Sequence, residues 1–162
     1  MSDWINNLKK EDEQRMREEK NRQLIAQRFS GDIKNHLLNV AKQTADALNK
    51  DIFKRNDYIK VKERYNGKHE NDFCVFCDVL PAAFLFVNFY FHDARISRKL
   101  TTTNDQPLPA HRSQDETLPD LGIGLKVDNT PFVHLNGRRL NDKEIGEMLV
   151  APVVNHVRNY QR

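Results

Sequence analysis

The chain has 162 residues, of which 38% are hydrophobic and 30% charged, and its formal net charge is +3. That length suits one domain with room for an appended helix, and so mild a basic excess is no pointer to nucleic acid by itself. Two cysteines exclude a disulfide-rich scaffold, and the longest apolar run, Pro81 to Val87, is too short to span a bilayer.

The opening MSDWINNLKKEDEQ lacks an apolar stretch of signal-peptide length, so a cytoplasmic protein without membrane contact is expected. Residues 3–28 read as a helix with a polar circumference. Trp4, Ile5 and Leu8 make a small apolar tip, while Glu11/Arg15, Glu13/Arg17 and Glu18/Arg22 pair at i,i+4. Residues 1–30 are therefore expected to form an arm that stands in solvent or lies along a partner.

Ser30-Gly31-Asp32 predicts an interruption, with Ser30 or Asp32 capping the next helix. Over 32–53, Ile33, Leu37, Val40, Thr44 and Ala47 recur at steps of four and three. That stripe fits a helix packed on its own sheet, or a seam between two subunits.

From Asp57 the period becomes two. Tyr58–Tyr65 alternates, with Ile59, Val61 and Tyr65 on one side and Lys60, Lys62 and Arg64 on the other. Six of the nine phenylalanines lie between Phe73 and Phe91, which locates the core. Phe73–Leu80 and Phe84–His92 read as a hairpin around Pro81-Ala82-Ala83, and Ala94–Thr103 as a further strand. Residues 104–120, with three prolines and little apolar content, predict a flexible loop. Leu121–Asp128 and Phe132–Asn136 are expected strands. Asn141 with Glu144 resembles a capping box that opens a C-terminal helix, and Pro152 should kink or divide that helix.

The expected class is α+β: an antiparallel β-meander of five to six strands with two N-terminal helices and a C-terminal helix. Residues 31–162 would form a single domain.

Cys74 and Cys77 form a CxxC. On a strand, residues three apart face opposite sides and can neither pair nor share a metal; at a helix start they could. A zinc site would need two more ligands, with His69 or His92 the obvious recruits, so no metal and no cofactor are expected. Asn129–Gly137, with its Thr130-Pro131, looks like the Thr-Pro, strand and Asn-Gly segment of thioredoxin-like proteins. The resemblance implies a proline beside the CxxC and a thiol redox pair. The chain departs from that family where a long helix should follow the CxxC.

In strand register Phe84, Phe86, Asn88, Tyr90 and His92 share a face, as do His134 and Asn136 on their own strand. Were those strands neighbours, Tyr90, His92, His134 and Asn136 would form a cluster able to hold a small polar ligand or to supply acid–base groups. A half-solvated sheet face has the same pattern. Lys60, Lys62 and Arg64 are anion-binding candidates, with nucleic acid possible but not favoured; a charged, aggregation-resistant edge is the alternative.

The expectation is a binding or interaction module rather than an enzyme. It would be a homodimer whose contact surfaces are the aromatic-to-polar sheet face and the 32–53 helix, with the first helix an arm reaching a protein partner or the other subunit. The alternatives are a small enzyme or ligand sensor built on the Tyr/His/Asn cluster, or a thiol redox protein using Cys74 and Cys77.

Overall fold

The computed structural model describes residues 2–65, 71–103 and 113–159. They form helices α1 (Ser2–Leu24), α2 (Ser30–Leu48) and α3 (Asp142–Asn159), and strands β1 (Lys60–Glu63), β2 (Phe73–Cys77), β3 (Ala83–Tyr90), β4 (Arg95–Thr103), β5 (Ser113–Leu125), β6 (Pro131–Leu135) and β7 (Arg138–Arg139). The strands make one sheet in chain order, each antiparallel to the next. This is the expected α+β meander, with seven strands instead of five or six. The extra one is the two-residue β7, too short to carry a period.

Alternation divides the sheet into two faces. Phe73, Val75, Leu85, Val87, Ile96 and Leu121 point inward and are fully buried. Against them lie Ile33, Leu37 and Ala41 of α2 and Ile145, Leu149, Val153 and Val157 of α3, in one continuous cluster. Each such aliphatic side chain contributes roughly 1.5–3 kcal/mol on burial, which commits the apolar stripe of α2 to its own sheet. The subunit-seam reading of that helix is thereby excluded for its buried stripe.

Three expectations are corrected. Ser30-Gly31-Asp32 does not interrupt the first helix: a π-helical turn, Ile25–Phe29, joins α1 to α2, and Leu24 and Ser30 both keep right-handed helical angles. Because the helix does not begin there, neither Ser30 nor Asp32 acts as its cap. Residues 113–120 belong to β5 and not to a loop, since they run beside β4 from Ser113 opposite Thr103 to Leu118 opposite Arg98. Pro119 sits where the register shifts, a position in which a missing N–H is tolerated. The rest of the expected loop, 104–112, lies outside the described residues. Finally, α3 is a single helix with Pro152 inside it, so of the two expected effects, a kink or a division, the division does not occur.

Candidate functional site

The outer face of the sheet carries most of the residues singled out from the sequence. Because β2 is a strand, Cys74 and Cys77 project to opposite sides: Cys77 joins the inner core and Cys74 the outer aromatic cluster. Both are free and wholly buried, and burial pushes the Cys74 thiol up, away from the thiolate needed for exchange or metal binding. Thr130-Pro131 leads into β6, separated from β2 by β3, β4 and β5. The thioredoxin-like arrangement is therefore absent among the described residues, where strands and not a long helix follow the CxxC.

Phe76, Phe84 and Phe86 form an aromatic group on that outer face, with Phe76 and Phe84 stacked at 5.7 Å. Tyr65 closes over it, 4.7 Å from Phe76 and 5.5 Å from Phe84 between ring centroids. Arg64 has a left-handed backbone (φ 48°) and ends the alternation, which moves Tyr65 from the expected Ile59/Val61 side to the opposite one. The Asn71 side chain then holds both the N–H and the C=O of Tyr65, each at 3.0 Å. Phe76 and Phe86 are left only 5% and 4% exposed, so this half of the face is largely covered from within the chain.

The basic strip is also divided. Lys60 lies near the Phe76 ring and pairs with Asp78 at 3.2 Å; Lys62 stands opposite Cys74; Arg64 is in the turn beyond the strand. Lys60 and Lys62 thus share the outer face of β1, and Arg64 follows beyond the strand's end.

The polar half of the face is spread across the sheet. Tyr90, Arg95, Gly122 and His134 follow one another across β3, β4, β5 and β6. Three interstrand steps of about 4.8 Å put Tyr90 roughly 14 Å from His134. The Arg95 guanidinium lies over the Tyr90 ring at 4.1 Å, and the His134 ring covers Gly122 of β5, where a Cβ would come within 2.2 Å of it. His92 is in a 3-10 turn, Phe91–Asp93, and lines a cleft of about 330 Å³ with Tyr90, Asp93 and Ala26. Asn136 occupies a left-handed position (φ 51°) in the turn after β6, beside Gly137, whose N–H donates to His134 Nδ1. Asn88 accepts from the Asp72 N–H at 3.1 Å, a bond that ties β3 to the segment before β2. The expected Tyr/His/Asn cluster thus falls into two groups: Tyr90 with His92, and His134 with Asn136.

A larger cleft, about 810 Å³, was not foreseen. Its floor is Phe29, Ile33, Leu37, Val133, Leu140 and Ile145, and its rim holds Arg28, Asp32, Lys126 and Asp128. At its mouth His36 Nε2 meets Asp142 Oδ1 at 2.8 Å, linking α2 to the start of α3. An apolar floor with a polar rim suits a small amphipathic molecule. The sequence hides this site because its two halves lie about a hundred residues apart and meet only when β6 folds beneath α2. Among the described residues, no group of three His, Cys, Asp or Glu could hold a metal ion, and no helix is long and apolar enough to cross a membrane. No protein-family model, curated protein or solved structure matches this chain.

Proposed function

We propose that the protein is a self-associating, cytoplasmic binding module whose first helix is its docking element. One observation carries this reading: α1 is 23 residues long and none of them is buried. At 1.5 Å per residue it extends about 34 Å, with Trp4, Ile5 and Leu8 exposed together at its far end and Met16 exposed midway. Isolated helices are marginal in water, and an i,i+4 charge pair of the kind spaced along α1 would add only about 0.2–0.5 kcal/mol. An arm of this kind gains most of its support from a second molecule.

Sedimentation of the full chain and of residues 25–162 at micromolar concentration tests the proposal. The full chain is expected to be dimeric and the shortened chain monomeric. A full chain that sediments as a monomer would overturn self-association. A second reading, a small-ligand sensor, is favoured by the 810 Å³ cleft with its His36–Asp142 pair at the mouth. It predicts that a ligand found by thermal-shift screening loses its effect in Leu37→Arg.

A further inference from the structure

The edges of the sheet are not equally closed. β1 is four residues long, and the Asn49 side chain holds both the N–H and the C=O of Ile59 just before it, at 2.8 and 2.9 Å. β7 has two residues. β5 differs, because β6 pairs with it only from Gly122 to Leu125. Among the described residues, 113–120 thus have a strand on one side alone, that of β4.

The direction of the backbone groups follows from the ladder. Thr103 donates its N–H to Ala82 O at 2.9 Å, so Thr103 and Lys99 turn their backbone groups to β3, while Thr102, Leu100 and Arg98 turn theirs to β5. Antiparallel alternation then points the groups of Gln114, Glu116 and Leu118 at β4, and those of Ser113 and Thr117 out of the edge. Both of these residues are exposed.

Beside this edge, on the inner side, lies a cleft of about 620 Å³ between β4, β5 and the C-terminal half of α3, lined by Leu100, Gln114, Glu116, Leu118, Asn155 and His156. β5 carries Asp115, Glu116 and Asp120 and has no lysine or arginine. Asp115 and Asp120 meet Lys99 and Arg95; the Glu116 carboxylate has no ion pair among the described residues and faces the cleft.

We infer that the edge of β5 over residues 113–118 is a strand-addition site for a basic, extended peptide segment of a partner protein, with a lysine or arginine side chain of that segment entering the cleft beside Glu116. Main-chain pairing supplies the affinity of such a contact, and a pocket for alternate side chains supplies its selectivity. Carboxylates along the edge repel a second copy of the same strand, so β5-to-β5 pairing is disfavoured. The site is separate from α1 and stands whether or not the arm self-associates.

The test uses the full chain and a fluorescein-labelled octapeptide of alternating lysine and threonine, with the glutamate–threonine octapeptide as charge control. Fluorescence anisotropy should show micromolar binding of the basic peptide and none of the acidic one. Glu116→Lys should weaken binding about tenfold or more, a loss of roughly 1.4 kcal/mol. Thr117→Pro should do the same, since it removes an outward N–H and leaves the β4 ladder intact. Should that variant unfold, the Thr117 amide of the unaltered chain supplies the same information: its hydrogen exchange should slow at least about tenfold under saturating peptide. The proposal is overturned if the basic peptide does not bind. It is equally overturned if binding leaves Thr117 exchange unchanged, or if a folded Thr117→Pro binds as tightly as the unaltered chain.

Discussion

Pro152 leaves the carbonyl of Met148 without its helical donor, and Arg98 supplies one from the sheet. Arg98 Nη1 donates to Met148 O at 2.8 Å and Nη2 to Pro119 O at 2.9 Å. The side chain is 4% exposed on the inner face, where burial pushes its guanidinium pKa down and Asp120 pushes it back up. One arginine thus serves the proline position in α3 and the register shift in β5, which explains a basic residue among aliphatic ones. Arg98→Met should destabilise the chain by about 2 kcal/mol, because two carbonyls lose donors. Pro152→Ala restores an N–H to Met148 O, so it should stabilise the Arg98→Met background more than the unaltered one, by about 1 kcal/mol. Urea unfolding of the four chains measures that coupling; additive effects would show that the two positions are independent.

At the level of elements, local signals were readable and pairing was not. Asn141 and Glu144 form the capping box expected from their spacing: Asn141 Oδ1 accepts from the Glu144 N–H at 2.8 Å, and Glu144 Oε1 from the Asn141 N–H at 3.2 Å. Arg138 also donates to Glu144. The Arg138 and then the Asn141 hydrogen bonds hold the Glu144 carboxyl below its ordinary value. A depressed folded-state value means that the stabilisation is present above the unfolded glutamate pKa, about 4.3, and is lost as pH falls through the folded value. Glu144→Gln should therefore be less stable than the unaltered chain at neutral pH, with the gap closing as the solution becomes more acid than about pH 4. A gap that persists in acid would assign the effect to side-chain packing. By contrast, 113–120 reads as loop in sequence because its composition is polar and it contains Pro119. Nothing local announces β4 as its partner, and among the described residues only one of its edges is paired. Tyr65 was misplaced for a related reason, since the left-handed Arg64 that turns it to the outer face is not a residue type that signals such a conformation. The candidate His cluster failed on strand order: period two assigns a face, not a neighbour.

Across the whole molecule, the core and the arm obey different energetics. Apart from the two-residue β7, the elements from Ile25 onward share one cluster of buried side chains, whereas α1 buries none and touches the body near the turn at Phe91–Asp93. The denaturant dependence of unfolding scales with the surface exposed, and α1 has little to expose as a monomer. Removing residues 1–24 should therefore leave the slope and midpoint of urea unfolding nearly unchanged when both chains are dilute. Hydrogen exchange then separates an arm that is merely tolerated from one that is used. In dilute solution the amides of α1 N-terminal to its contact with the Phe91–Asp93 turn should exchange fast, near the helix–coil limit, because no buried side chain of α1 anchors them. As concentration rises into the range where the full chain associates, protection should appear along α1 while the core amides stay as they were. Protection of α1 in the dilute monomer would mean that the body already stabilises the arm. Self-association would then have to use another surface.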